Sequence, residues 1–259
     1  MTAEFAVALR GWRNRRRVSQ LELALRAGTT QRHVSFIEGN RSVPGRAMVV
    51  RLAEALEVPL RERNALLLAA GYAPAYDETP FDDEKLEPVR NALERILEGH
   101  LPYPAVIVHR YGDLVSANSA FWAFVDGAAP KLLEQPVNIP RLFLHPEGMA
   151  PRILNLDDWA WHVIDALRRE HLRHPSDRLP ELVAELEELV PDRPLHPGPD
   201  HMGFSVPVRL HAGDTELLLV TTLTHFGTAI DVTLTELRLE AFLPGDEATA
   251  AYFTSASPS

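Results

Sequence analysis

Small, capping and polar residues recur with a fixed spacing in the N-terminal quarter of the chain, and this spacing constrains the fold most strongly. Ser19 and Glu22 form a capping box, which satisfies free backbone N–H groups at the start of a helix. Ala24 is small enough for two helices to cross closely, and Gly28 allows a positive φ in the turn between them. Because apolar residues resume at helical spacing beyond this turn, the segment is predicted to form a helix-turn-helix.

The second helix of this motif has one buried face and one exposed face. Val34 and Ile37 lie at the centre of the buried face. At about 100° per residue, four residues fall on the opposite side or at its edge: Gln31, Arg32, Ser35 and Phe36. An outward phenylalanine needs a partner, so this face is predicted to contact another molecule.

The charge distribution supports a polyanionic partner for the same region. Residues 1–71 carry 12 Arg, no Lys and 6 Glu, a balance of +6, whereas the whole chain has a net charge of −10. Apolar residues at helical spacing predict a five-helix, all-α domain over 1–71. A basic domain in an acidic protein is typical of nucleic-acid binding, although the arginines at 10, 13 and 15–17 could also form only a solvated helix face.

The remainder of the chain predicts a different architecture. Residues 72–83 contain prolines and acids without periodicity and are predicted to be a linker. Residues 84–253 read as an α+β domain with a five-stranded antiparallel sheet. Its elements are predicted as a helix, a hairpin over P-A-V-I-V-H-R-Y-G-D-L-V-S-A, a short helix capped by Asn118, helices over 157–173 and 179–190, and strands over 204–211, 215–225 and 230–243 with a bulge at Thr235 or Glu236. Residues 254–259 are predicted to be a disordered tail.

The N-terminal motif resembles the XRE, or Cro/C1-type, family of helix-turn-helix regulators, with T-T-Q-R-H-V-S-F-I-E-G-N-R-S-V-P similar to its recognition helix and following loop. The resemblance implies base contacts by Gln31 and Arg32 and a phosphate contact by Gln20. The chemistry agrees, because Gln pairs with adenine and Arg with guanine, and Phe36 could pack on a thymine methyl. The residues predicted to contact the DNA backbone are Gln20, Thr30, Asn40 and Arg41. Arg61 and Arg63 are assigned to the bundle or to an interface.

The segment A-V-I-V-H-R-Y-G-D-L-V-S-A-N-S-A-F-W-A-F resembles the opening of a PAS-type sensor domain. With the upstream motif, A-A-G-Y-A-P, N-L-D-D-W and L-P-E-L-V-A-E-L, the whole chain resembles an MmyB-like regulator of the XRE family. This resemblance implies a C-terminal PAS-like domain that holds a small apolar or amphipathic ligand such as a fatty acid. No other cofactor is expected.

Aromatic residues concentrated between 121 and 161 support a pocket, since aromatics line small-molecule sites. The candidate ligand contacts are Phe121, Trp122, Trp159 and Trp161. Ordinary core packing is the alternative for Phe121 and Trp159. Trp161 falls on the polar side of its helix and could be covered by a loop, a dimer partner or a ligand.

Histidine and carboxylate patterns do not predict a metal site or an enzyme. Ten of the 11 His lie beyond residue 71, but those at 171, 174, 196, 201 and 211 lack metal-ligand spacing. Asp157 and Asp158 fit a helix start better than an acid–base pair. The chain contains no Cys, G-x-S-x-G motif or phosphate-binding glycine loop, so no metal and no enzymatic activity are expected.

The sequence therefore predicts a cytoplasmic, homodimeric transcription regulator that binds a double-stranded DNA operator and a small-molecule effector and does not engage membranes. Two alternatives remain open. In the first, the C-terminal domain is only a dimerisation or protein-interaction module. In the second, a DNA-binding domain is fused to an enzyme.

Overall fold

The computed structural model describes residues 3–193, 206–226 and 229–256. These residues divide into two compact units. Of the described residues, the first comprises 3–81 with 229–235, and the second comprises 82–193, 206–226 and 236–256. The sequence predicted one continuous second domain over 84–253, whereas residues 229–235 belong to the first unit.

The first unit contains the predicted helices. They are α1 (Ala3–Arg15), α2 (Gln20–Arg26), α3 (Gln31–Glu38), α4 (Arg46–Ala55) and α5 (Leu60–Ala69). Each helix turns an apolar face into one core, whose largest fully buried side chains are Phe5, Leu9, Leu23, Ile37, Leu52, Leu56 and Leu67. This confirms the all-α fold, since burying a stripe on each helix is what stabilises such a bundle.

The structure contains the Ser19 half of the predicted capping box and the predicted turn glycine, whereas the Glu22 carboxylate accepts from Arg26 Nε at 2.9 Å. The backbone N–H of Glu22 donates to the Ser19 hydroxyl at 3.1 Å, and the N–H of His33 donates to the Thr30 hydroxyl at 3.2 Å. Gly28 has a φ of +62° between the two helices, in the region that glycine tolerates best. The caps and the glycine therefore set the angle at which α3 is presented.

The second unit is the α+β domain expected from the sequence. Its helices are α6 (Glu87–Glu98), α7 (Ser119–Phe124), α8 (Ile139–Leu144), α9 (Leu156–Arg173), α10 (Arg178–Leu189) and α12 (Glu247–Ala256). Its strands are β1 (Ala105–His109), β2 (Leu114–Ala117), β3 (Val208–Ala212), β4 (Thr215–His225) and β5 (Leu237–Pro244). They form an antiparallel sheet in the order β2-β1-β5-β4-β3, which confirms the predicted five-stranded architecture.

Strand register determines which side chains share a face of this sheet. Glu240 of β5 pairs with Val106 of β1 and with Leu223 of β4, and Phe242 pairs with Thr221 of β4. Because successive side chains of a strand alternate between faces, these five residues lie on one side of the sheet. Polar residues therefore share a face with apolar ones.

Asn118 caps α7 as predicted and also ties three segments together. Its side-chain oxygen accepts from the N–H groups of Phe121 and Ala105, at 3.0 and 3.2 Å. Its amide nitrogen donates to the carbonyl oxygens of Leu97 and Tyr103, at 3.1 and 2.9 Å. This buried amide is thus fully used, which fixes the start of α7 against β1.

The strand predicted over 230–243 is wrong for its first part. A short helix, α11 (Val232–Thr235), occupies this place in the first unit, and β5 begins only at Leu237. The cause is Asp231, whose carboxylate accepts from the Thr233 N–H at 2.8 Å and from the Thr79 hydroxyl at 2.6 Å. A capping aspartate favours a helical turn over a strand despite the β-branched residues nearby.

The predicted disordered tail over 254–259 is corrected in its first part, because α12 continues to Ala256. Phe253 is buried, and the fully buried hydroxyl of Thr249 accepts from the Leu218 N–H at 2.9 Å. These contacts hold the helix against the sheet. Residues 257–259 lie outside the described residues.

Candidate DNA interface and ligand cavity

Helix α3 presents the side chains predicted for base contact. Gln31 and Arg32 are exposed and Phe36 is half-buried, whereas Val34 and Ile37 are buried. The predicted division of the helix into two faces is therefore present. Contact of these residues with DNA bases stays a prediction.

Two arginines stack on Phe36. The guanidinium carbon of Arg41 lies 4.7 Å from the centre of the ring, and that of Arg32 lies 5.1 Å from it. Such cation–π contacts hold flexible side chains in place. Phe36 thus has partners within the chain and brings together one predicted base-contacting and one predicted phosphate-contacting arginine.

The other residues that are predicted to contact the DNA backbone lie near the ends of α3. Thr30 is the N-cap residue of α3, so its hydroxyl is used by the His33 N–H. Asn40 follows the helix, is exposed and has a φ of +55°. Arg41 is exposed, and its backbone N–H donates to the carbonyl of Phe36 at 2.7 Å.

A buried carboxylate, Glu38, organises the interior of the motif. It accepts from Arg13 Nε at 2.7 Å, from Arg13 Nη2 at 3.0 Å and from Gln20 Nε2 at 2.8 Å. Burial opposes ionisation of Glu38, but the hydrogen bonds from Arg13 and Gln20 and the charges of Arg13 and Arg10 hold its pKa below the usual value. Gln20 is therefore engaged within the motif, and its phosphate contact stays a prediction.

Three further arginines of this unit, Arg16, Arg61 and Arg63, contact groups within it. Arg16 donates to the Leu56 carbonyl at 3.0 Å, and Arg63 donates to the Val58 carbonyl at 2.6 Å, so both hold the bundle together. Arg61 pairs with Glu78 at 2.5 Å, outside the face of α3. Only part of the positive charge of the unit is thus available to a polyanion.

The second unit contains a cavity of about 170 Å³ between the sheet, α8 and α9. Most of its wall is apolar, and the wall-forming side chains include Ile139, Pro140, Phe143, Trp159, Val163, Leu167, Leu223 and Phe242. A mostly apolar cavity with a few polar groups is typical of a small-molecule site.

The structure separates the four aromatic residues predicted as ligand contacts. Trp159 lines the cavity. Phe121 is fully buried in the core, and Trp122 packs edge-on against it with 42% of its surface exposed. Trp161 is covered by the loop after α10, because its Nε1 donates to the Pro191 carbonyl at 3.0 Å. Phe121, Trp122 and Trp161 are thus placed outside the wall of this cavity.

The sequence interpretation missed the polar wall of the cavity. Arg238 and Glu240 of β5 and Glu170 of α9 line it, together with His109 and Arg110 at the end of β1. The available signal was the segment R-L-E-A-F, in which charged residues occupy the same strand face as Phe242. A charged residue on the inner face of a strand is uncommon and indicates a site.

Most of these charges are paired. Arg238 forms an ion pair with Glu170. Glu236 lies 3.0 Å from His109 Nε2 and 3.3 Å from Arg110 Nη1. Among the described residues, by contrast, the Glu240 carboxyl makes no hydrogen bond or ion pair, and burial raises its pKa to about 7 against the opposing charge of Arg238.

The described residues hold no group of three His, Asp or Glu side chains that could bind a metal. His174 lies 3.7 Å from Glu170, and His171 Nδ1 accepts from the Ser176 N–H at 3.4 Å. His211 lies on β3, and His196 and His201 lie outside the described residues. Asp157 and Asp158 lie in the first turn of α9, as predicted.

Two family models match the chain. Residues 9–63 match a helix-turn-helix model, and residues 89–255 match the MmyB-like transcription regulator ligand binding domain. Since the second match covers more than half of the sequence, the chain belongs to the MmyB-like family of transcription regulators. It combines a DNA-binding motif with a ligand-binding domain, and neither model describes a catalytic family.

Other comparisons add little. No curated protein matches the chain. A solved structure described as an RNA-binding light-oxygen-voltage receptor matches 99% of this chain with 13% identity and a TM-score of 0.27. The present chain spans 64% of that receptor's length, and a likeness this distant transfers nothing. Within the described residues, no helix is both long and apolar enough to cross a membrane.

Proposed function

We propose that the chain is a homodimeric, sequence-specific DNA-binding regulator whose C-terminal domain senses a small amphipathic molecule with a fatty-acid-like apolar body. The observation that carries the sensing role is the mostly apolar cavity enclosed by the sheet, α8 and α9. Its walls suit an alkyl chain or a similar apolar group. The ligand regulates only if it binds two arrangements of the protein unequally.

The exposed face of α3 supports the DNA-binding role. Gln31 suits adenine and Arg32 suits guanine, because both side chains can form two hydrogen bonds to those base edges in the major groove. The stacked Arg41 suits a phosphate. Dimerisation follows from the expected operator, since two half-sites about one helical turn apart supply the affinity that one such module lacks.

The DNA-binding role is tested with the full chain. A cognate duplex is first selected from a random pool, and affinities for cognate and random DNA are then measured at several salt concentrations. Arg32→Ala is expected to cost about 1 to 3 kcal/mol on the cognate duplex and to reduce sequence preference. Arg41→Ala should reduce the affinity for the cognate and the random duplex by the same factor.

Arg169→Ala is the matched control, because Arg169 is an exposed arginine on α9 of the other unit. It should leave both affinities unchanged. An unaltered cognate-to-random ratio in Arg32→Ala would remove Arg32 from the base-reading face. Affinity that does not fall with salt would contradict phosphate neutralisation altogether.

The sensing role is tested by calorimetric titration with straight-chain compounds that share one head group and increase in length. Each buried methylene contributes about 0.8 kcal/mol, so affinity should rise with length until the cavity is full. Leu167→Trp places a larger side chain in the wall and reduces the cavity volume, so the compound that binds most tightly should have a shorter alkyl chain. If no compound binds, the C-terminal domain is better explained as a dimerisation or interaction module.

A further inference from the structure

One acid that lines the cavity has no ion-pair partner among the described residues, whereas both arginines that line it are paired. The guanidinium of Arg238 is paired with Glu170, and Arg110 is paired with Glu236. Glu240 is a third carboxylate and has no ion-pair partner among the described residues. The two arginines that could have received an acidic ligand are therefore already neutralised, and the unsatisfied group is an acid.

A second unsatisfied group lies near Glu240. The Thr221 hydroxyl is buried and has no hydrogen-bond partner among the described residues. In the β4–β5 register, Thr221 faces Phe242 and Leu223 faces Glu240, so Thr221 and Glu240 are diagonal neighbours on the inner face. Such neighbours have Cα atoms about 7 to 8 Å apart, so a single ligand head group can lie between their side chains.

We propose that the polar end of the ligand is a protonated amine that binds the Glu240 carboxylate and the Thr221 hydroxyl, while its apolar body packs against Trp159, Phe143 and Leu167. This inference rests on the proposed sensing function and specifies its ligand class. An ammonium group supplies a positive charge and three N–H donors, which is what a carboxylate and a hydroxyl oxygen can accept.

A carboxylate or an alcohol head group fits the same cavity wall less well than an amine. A carboxylate head group would be repelled by ionised Glu240, and it would have to displace Glu170 from Arg238 to gain an ion pair. An alcohol could donate one hydrogen bond but would leave the charge of Glu240 unmatched. The polar groups of the wall therefore favour an amine head group over an alcohol, and an alcohol over a carboxylate.

The test compares three eight-carbon probes on the full chain at pH 8: 1-octylamine, 1-octanol and octanoate. We expect 1-octylamine to bind at least tenfold more tightly than octanoate, with 1-octanol in between. Glu240→Gln removes the charge with little change in shape and should bring the three affinities to within about twofold. Thr221→Val should weaken amine binding by a smaller factor.

Glu188→Gln is the matched control, since it makes the same change at an exposed position on α10. It should leave the amine preference unchanged. A preference that falls equally in Glu188→Gln and Glu240→Gln would instead mean that the amine is attracted by the overall negative charge of the protein.

The pH dependence gives an independent measurement. Amine binding should strengthen between pH 6 and 8, because Glu240 becomes ionised in this range while an alkylamine, with a pKa near 10, stays protonated. Several other charged or titratable groups line the same cavity: His162 and Glu170 on α9, His109 at the end of β1, Arg110 directly after it, and Arg238 on β5. His225 of β4 lies outside the cavity wall but interacts electrostatically with Arg238 and Glu170. The Glu240→Gln variant separates them, because only the contribution of Glu240 disappears in it.

The outcomes distinguish this inference from the proposed function. Equal affinity for all probes, or tightest binding of octanoate, would overturn the amine assignment and leave a ligand sensor. An amine preference that survives Glu240→Gln would also overturn it. Binding of none of these probes, nor of any longer homologue, would remove the sensing function itself.

Discussion

Glu38 and Glu240 are acids in the interiors of the two units, and their pKa values are shifted in opposite directions. Glu38 is buried and receives hydrogen bonds from Arg13 and Gln20, which lower its pKa despite burial. Glu240 lines a cavity without such partners, and burial raises its pKa to about 7. A paired interior carboxylate holds the side chains around it in place, whereas an unpaired carboxylate that faces a cavity is available to a ligand.

The two acids should therefore affect stability with opposite dependence on pH. The folded-state pKa of Glu38 lies below its unfolded value, so its stabilising contribution is present above the unfolded pKa and is lost as the pH falls. The folded-state pKa of Glu240 lies above its unfolded value. The folded protein therefore holds an extra proton between about pH 4.5 and 7, and stability falls as the pH rises through that range.

The largest expected effect comes from breaking the paired cluster. Glu38→Ala leaves the Arg13 guanidinium, whose side chain is only 14% exposed, without its carboxylate. Removing one partner of a buried pair costs about 3 to 5 kcal/mol. Urea unfolding of the full chain measures the loss. Glu54→Ala, which removes an exposed acid 3.5 Å from Arg63, should cost less than about 1 kcal/mol.

A Glu38→Ala loss no larger than that of Glu54→Ala would contradict the distinction between paired and exposed acids in the first unit. The DNA affinity of the folded variant adds a second readout. Because Glu38 ends α3 and holds Gln20 at the start of α2, its loss should weaken DNA binding even under conditions in which the protein remains folded.

The unpaired acid should behave in the opposite way. Glu240→Gln should stabilise the ligand-free protein at pH 8, because it removes an ionised group from a site where burial disfavours ionisation. A shift from 4.5 to about 7 corresponds to at most about 3 kcal/mol, and partial exposure of the side chain to solvent reduces that value. The gain should disappear toward pH 5.

Unfolding midpoints of the wild type, Glu240→Gln and Glu188→Gln at pH 5, 6, 7 and 8 measure this effect. The wild type should approach the Glu240→Gln curve as the pH falls, and Glu188→Gln should follow the wild type throughout. A Glu240→Gln variant that is less stable than the wild type at pH 8 would indicate a stabilising partner for the carboxylate and would weaken the ligand assignment.

The sequence predicted the first unit well because its signals are local. A capping box, a turn glycine and two anchoring apolar residues lie within 19 positions, from Ser19 to Ile37, and each acts on its near neighbours. The same locality allowed Asn118 to be predicted as the cap of α7. Such features follow from short-range hydrogen bonds and backbone preference, which require no knowledge of tertiary contacts.

The cavity could be predicted only in outline because its wall depends on long-range register. Glu240 faces inward because β5 pairs with β1 and β4 in one particular alignment, and a shift of one residue would turn it outward. Aromatic density singled out both Trp159, which lines the cavity, and Phe121, which packs in the core and is absent from the cavity wall, and ligand contact by either residue stays a prediction. The first part of the strand predicted over 230–243 was wrong because the capping role of Asp231 outweighs the β-propensity of its neighbours.

The smallest expected effect compares two threonines of the second unit. Thr249→Val should destabilise the protein by about 1 to 3 kcal/mol, because it leaves the N–H of Leu218 without its acceptor. Thr221→Val removes a buried hydroxyl that has no partner among the described residues, so stability should stay within about 1 kcal/mol of the wild type or increase. Unfolding midpoints of both variants without ligand provide the comparison. Equal losses would show that the Thr221 hydroxyl is satisfied in the ligand-free protein, and the contrast between paired and unpaired groups would then rest on Glu240 alone.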